Sequence, residues 1–132
     1  MNLLVRWSRF NAVGIVGMAV QLTVLAILNR WTGGHYLLST VAALEVTLVH
    51  NFLWHLHYTW PDRKDGSPTT AKFAKFHLSN GMISLVGNLA LMQWLVAGAH
   101  MPPLAANAVA ILACSVANFG LGHTWAFAAG KS

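Results

Sequence analysis

The stretch Val49-His50-Asn51-Phe52-Leu53-Trp54-His55-Leu56-His57-Tyr58-Thr59-Trp60 ends a long apolar segment and carries three His, one Asn and four aromatics. A related phrase lies near the end of the sequence: Val116-Ala117-Asn118-Phe119-Gly120-Leu121-Gly122-His123-Thr124-Trp125-Ala126-Phe127. Both read Asn-Phe, five residues, then aromatic-x-aromatic, and the two Asn are 67 positions apart. An amide within an apolar helix, followed by bulky aromatics, describes a membrane helix reaching the lipid–water boundary. The remaining sequence reads as two copies of a hairpin that ends this way.

Composition agrees. Of 132 residues, 56% are hydrophobic and only 8% charged, against roughly 25% charged in a soluble domain. Apolar stretches fall at residues 11–29, 36–58, 77–97 and 104–125. Each is close to the roughly 20 residues that cross about 30 Å of hydrocarbon as helix. Four such segments leave too little polar surface to cover a water-soluble core.

The formal charge of +5 does not point to nucleic acid, because no loop is long enough to form a folded basic platform. Its distribution is informative instead. Arg6, Arg9, Arg63, Lys64, Lys72, Lys75 and Lys131 fall at the N-terminus, the middle loop and the C-terminus, and only Arg30 falls in the first short loop. That bias predicts both termini and the central loop on the cytoplasmic side. The first segment is too long for a signal-peptide core and lacks a small-x-small cleavage site near residues 29–32, so it reads as a retained helix. Cys114, the single cysteine, offers no disulfide framework and no Cys-rich metal pattern.

The expected fold is therefore an all-α membrane protein with four transmembrane helices, arranged as two tandem, parallel-repeat hairpins. It forms a single domain over 1–132: hairpin one at about 9–60, a cytoplasmic loop at about 61–75 and hairpin two at about 76–127. Gly14, Gly17 and Gln21 map onto Gly81, Ser84 and Asn88 at an offset of 67. Arg9-Phe10 maps onto Lys75-Phe76 at 66, so one residue is inserted between the blocks. Two crossings per copy make the copies point the same way. Residues 69–76 read as an amphipathic run, with Phe73 and Phe76 toward lipid and Lys72 and Lys75 near headgroups.

Polar residues at membrane depth are the candidate site. Gly14, Gly17 and Gln21 share a helix face, as do Gly81, Ser84 and Asn88; helix packing and the lining of a substrate path both fit this spacing. Asn107 and Asn118 are eleven residues apart, about three turns, and share a face beside an Ala106, Ala110, Ala113, Ala117 stripe. Glu45 is the one acidic residue inside a membrane segment, roughly 13 Å from its start at 1.5 Å per residue. At 100° per residue Asn51, His55 and Tyr58 cluster on one face, His50 and His57 lie on another, and Glu45 belongs to neither. Other helices or another subunit must therefore complete any site. The His residues include no pair spaced i, i+4 and no Cys joins them, so neither a metal centre nor a cofactor is expected. No Gly-x-Ser-x-Gly elbow or carboxylate pair is present, so an enzyme is not expected.

Together, Arg9-Phe10 with Gly14 and Gly17, Asn51-Phe52 through Trp60, Lys75-Phe76, and Asn118-Phe119 through Phe127 resemble the GtrA-like family of small four-helix membrane proteins. Where members typically carry Arg after the Asn-Phe pair, this sequence has Leu56 and His123. The resemblance implies flipping of a polyprenyl-phosphate-linked sugar across the bacterial cytoplasmic membrane, for cell-surface polysaccharide synthesis or modification. The amides of Gln21, Asn51, Asn88, Asn107 and Asn118 can hydrogen-bond sugar hydroxyls, joined by Glu45 and His55. Arg9, Lys75 and His123 are placed to receive the phosphate. Four helices are few to enclose such a headgroup, so a homo-oligomer is expected, a dimer above all. Two other readings stay open. One is a scaffold that anchors a glycosyltransferase through the cytoplasmic loop. The other is a small proton-coupled multidrug-type exporter, which the strong Lys/Arg bias and the position of Glu45 disfavour.

Overall fold

In a computed structural model, which describes residues 1–129 apart from the side chains of residues 36, 37, 103 and 104, the first helix starts at an Asn cap. Asn2 Oδ1 accepts from the backbone N–H of Leu4 (2.7 Å) and Val5 (3.3 Å), satisfying two donors that the first turn leaves open. Helix α1 then runs Leu3–Trp31, about 44 Å at 1.5 Å per residue. That exceeds the hydrocarbon thickness, so its basic first turns have room at the boundary. It stops at Gly33 and Gly34, both at positive φ. Gly34 N–H donates to Asn29 O (2.9 Å) and Gly33 N–H to Arg30 O (3.4 Å), the paired closure in which glycine ends a helix without a Cβ clash.

Helix α2 spans Tyr36–Trp54 and widens into a π turn over His55–Thr59. Helix α3 (Thr69–Met82), a π turn (Ile83–Gly87), α4 (Asn88–Gln93) and a second π turn (Trp94–Gly98) form one long helix over Thr69–Gly98. Helix α5 (Pro103–Leu121) opens on Pro102-Pro103, which a first helical turn tolerates because its N–H groups are unpaired anyway. It closes in a π turn over Gly122–Ala126. Among the described residues no strand occurs. Among the described residues, three helices are long and apolar enough to cross a membrane, namely Leu3–Trp31, Thr69–Gly98 and Ala105–Ala126, and α2 is a fourth helix. Lys131 of the charge argument lies outside the described residues.

The chain divides into two compact units, Met1–Asp62 with α1 and α2, and the remainder from Arg63 with α3 to α5. Within the first, α1 buries Arg6, Phe10, Val13 and Gly17, a stripe at spacings of four, three and four that keeps one face toward α2. Within the second, α3 buries Lys72, Phe76 and Ser79, each 66 positions after Arg6, Phe10 and Val13. The partner helices agree as well. Ser39, Ala43, Thr47, His55, Thr59 and Trp60 are buried in the first unit. The residues 67 positions later, Ala106, Ala110, Cys114, Gly122, Ala126 and Phe127, are buried in the second.

Residues 69–76 are not a separate surface element, as the amphipathic pattern suggested, but the first turns of α3. Phe76 is buried rather than lipid-facing, and Lys72 is 7% exposed rather than extended to headgroups. Lys72 points inward because the chain before α3 folds against it, Lys72 Nζ donating to Arg63 O (2.9 Å) and pairing with Asp65 (3.2 Å), and Phe76 because the ring of Phe127 packs edge-on to it.

Candidate functional site

Each unit closes its aromatic phrase with the same construction. A π turn bonds N–H to the carbonyl five residues back, and Trp60 N–H thus reaches His55 O at 2.8 Å while Phe127 N–H reaches Gly122 O at 2.8 Å. The wider turn separates the two aromatics of each aromatic-x-aromatic motif into different tasks. The second is buried against the opening helix. Trp60 lies edge-on to Phe10 with centroids 6.1 Å apart, and Phe127 lies edge-on to Phe76 at 6.1 Å. The first stays at the surface under a cation: Arg9 sits 4.6 Å over the Tyr58 ring, and Lys75 Nζ 5.9 Å over the Trp125 ring. Such pairs contribute roughly 0.5–2 kcal/mol each.

A second cation, one turn earlier, ties down the chain end. Arg6, 3% exposed, donates from Nη1 to Thr59 O (3.1 Å) and forms a two-point pair with Asp62 at 2.9 and 3.0 Å. Lys72 plays this part in the second unit through Arg63 O and Asp65. Asp65 also accepts from the Ser67 N–H (3.0 Å) and hydroxyl (2.8 Å). These Ser67 bonds, with the Lys72 ammonium, hold its carboxyl at about 2, below the usual carboxylate value.

The predicted amides occupy matching places. A Cβ on Gly17 would fall onto the Asn51 side chain, 2.8 Å from Nδ2, so the glycine exists to seat that amide. In the second unit Ser84 stands at the Gly17 position, and Asn118 Nδ2 donates to its Oγ at 3.4 Å. Asn118 Oδ1 is buried without a hydrogen-bond partner. Asn88 Nδ2 bonds Ser84 O within its own helix (2.7 Å), Gln21 is half-buried, and Glu45 and Asn107 lie on exposed helix faces. Asn107 and Asn118 therefore do not share one environment. Cys114 Sγ donates to Ile83 O at 3.6 Å, a carbonyl within the π turn. His123 stacks on Phe119 (5.7 Å), and Arg63 Nη2 lies 3.2 Å from its Nε2.

His55 stacks on Phe10 at 4.8 Å and 12°, with Nδ1 2.9 Å from Thr59 Oγ1. It is a core residue of the first unit, on the same side as Asn51. Tyr58 is not with them, contrary to the 100° spacing. The π turn advances the chain less per residue than an α-helix, and it swings Tyr58 onto the row of His50 and Trp54. Those three rings line a groove along one edge of α1. It measures about 210 Å³ and lies among Ala12, Val13, Val16, His50, Trp54 and Tyr58. A second, more open pocket of about 460 Å³, sharing Ala12 and Tyr58 with it, lies among Leu4, Val5, Ser8, Arg9, Ala12 and Tyr58. Sequence reasoning missed Ser8, Ala12, His50 and Trp54. The signal available was two rows at i, i+4: Ser8, Ala12, Val16 and His50, Trp54, Tyr58.

Among the described residues no group of three or more His, Cys, Asp or Glu converges. The helices and their boundary aromatics make this a multi-helix membrane protein. The model of the GtrA/DPMS transmembrane domain matches residues 9–127, and the chain belongs to that family, which is associated with the flipping of lipid-linked sugars. No curated protein matches the chain.

Proposed function

We propose that this protein moves a polyprenyl-phosphate-linked sugar across the bacterial cytoplasmic membrane, for synthesis or modification of cell-surface polysaccharide. The observation that carries the reading is the family match over residues 9–127. The seated amides of Asn51 and Asn118 support it, since neutral hydrogen-bonding groups at membrane depth can meet hydroxyls without a buried charge. In this reading all four helices cross the membrane as two tandem copies of one hairpin. The coincident buried positions and the paired cation–aromatic contacts support that arrangement. The basic ends support an orientation with both termini and the central loop in the cytoplasm. A dimer completes the path, and Gln21, Glu45, Asn88, Asn107, Lys75 and His123 are candidate contacts along it.

The test is translocation of a radiolabelled polyprenyl-phosphate sugar in proteoliposomes, beside protein-free liposomes. Protein-dependent translocation is the expected result. Correct insertion without any translocation would overturn the reading in favour of a membrane anchor for a glycosyltransferase.

A further inference from the structure

Asn51 and Asn118 stand 67 positions apart, at matching places in the two units, yet their amides are held by opposite ends. In the first unit His50 Nδ1 lies 3.0 Å from Asn51 Oδ1. A carbonyl oxygen only accepts, so Nδ1 carries the proton and donates it. The oxygen is thereby engaged, and Nδ2 is the end that Asn51 has left to offer. In the second unit Asn118 Nδ2 donates to Ser84 Oγ (3.4 Å), and Oδ1 is buried without a partner. Here the nitrogen is engaged and the oxygen is left over.

Two exchanges between the repeats account for the reversal. The residue 67 positions after His50 is Ala117, and the residue 67 positions after Gly17 is Ser84. Alanine has nothing to donate to the neighbouring carbonyl. Where the His50 ring stands in the first unit, the second carries only a methyl group at an exposed position. Gly17 cannot carry a side chain, because a Cβ there would fall on Asn51. Ser84 can, since it lies in the π turn Ile83–Gly87, whereas α1 is α-helical throughout Leu3–Trp31. The wider turn makes room for a hydroxyl beside the amide.

We infer that His50 and Ser84 are positioning residues that fix the two amides with opposite polarity, Asn51 as a hydrogen-bond donor and Asn118 as an acceptor. A buried acceptor without a donor costs stability, so the second unit keeps at a cost what an Ala117→His exchange would remove. That this acceptor meets a hydroxyl or N–H of the transported headgroup rests on the transport reading above; the polarity does not.

The first arm of the experiment is 15N NMR of the histidine-labelled full-length protein in detergent, with the His50 signals assigned by their loss in His50→Gln. The Nδ1–H tautomer is expected, because the hydrogen bond decides which nitrogen is protonated. Asn51→Ala should move His50 toward the Nε2–H form that free histidine favours. An Nε2–H tautomer in the wild type would mean that Nδ2 faces the ring, and would overturn the first-unit assignment.

For the second unit, Ala117→His supplies the missing donor. It should raise the melting temperature in detergent by at least about 2 °C, as the buried carbonyl gains its bond. It should also slow translocation of the radiolabelled polyprenyl-phosphate sugar at least about tenfold. A purely structural amide would gain the stability and keep the rate. A second pair of variants does not depend on accommodating the imidazole. Asn118→Asp keeps an acceptor and can take the Ser84 hydroxyl, whereas Asn51→Asp removes both donors. In the tandem reading the two positions match in depth, so any general cost of a carboxyl is common to both. Asn51→Asp should slow translocation at least about tenfold, and Asn118→Asp distinctly less. Equal losses, or the reverse order, would overturn the opposite polarity, as would an Ala117→His variant unchanged in both melting and rate. A wild type that does not translocate would remove the transport reading, and the tautomer and the melting temperature would still decide the polarity.

Discussion

Gly17 and Gly14 separate two uses of glycine within one turn of α1. A methyl group at Gly17 meets the Asn51 amide, whereas nothing lies within 4 Å of a Cβ on Gly14. Gly17→Ala should therefore destabilise the protein by about 1–3 kcal/mol, the range for overpacking. Gly14→Ala should be neutral or stabilising by up to about 1 kcal/mol. Thermal unfolding of both variants in detergent checks this, and equal melting temperatures would sink the argument. Asp65 offers a residue-scale prediction in pH. The Ser67 bonds and the Lys72 ammonium hold its carboxyl at about 2 in the folded chain, below the usual carboxylate value. The folded pKa is depressed, so its contribution is complete above the unfolded value and disappears as pH falls through about 2. An NMR titration of the Asp65 carboxyl should show the depressed midpoint, and Lys72→Met should move it upward.

At the scale of the element, the closing π turn is the feature that sequence periodicity could not supply. The apolar segments, the Gly33-Gly34 stop and the aromatic phrases were legible because each follows from side-chain type and spacing. The position of Tyr58 was not, because a constant 100° per residue fails where the turn widens. Nor was the inward direction of Lys72 and Phe76. Their stripe is the same as Arg6 and Phe10 at an offset of 66, but an isolated amphipathic run does not reveal what packs on it. Arg6 was the anchor missed altogether, although Lys72 stands 66 residues after it. Arg6→Ala should cost about 2–4 kcal/mol, mainly through the lost bond to Thr59 O. Its ion pair adds less, since the Asp62 side chain is 48% exposed and screened. Hydrogen exchange provides the readout: amides of His55–Trp60 should exchange at least about tenfold faster in the variant. Unchanged protection there would mean that Arg6 does not hold the end of α2.

For the whole molecule, two units with matching buried positions and matching cation–aromatic pairs give the tandem-hairpin reading its physical content. The offset in charge between loops predicts, for that reading, both termini and the central loop on the cytoplasmic side. In a Cys114→Ala background, Ser67→Cys should react with an impermeant thiol reagent only from the cytoplasmic face. His100→Cys should react only from the opposite face, and the reverse pattern, or labelling of both from one side, would defeat the four-crossing topology. We propose that the protein flips a lipid-linked sugar, with Arg9 receiving its phosphate. The initial rate of polyprenyl-phosphate-sugar translocation in proteoliposomes, for the wild type beside Arg9→Ala at equal protein density, tests it most directly. A wild-type rate well above that of empty liposomes is expected, with the variant slower by at least about tenfold at subsaturating lipid, in line with the lost charge-assisted bonds. A wild type no faster than empty liposomes, or a variant equal to the wild type, would contradict it.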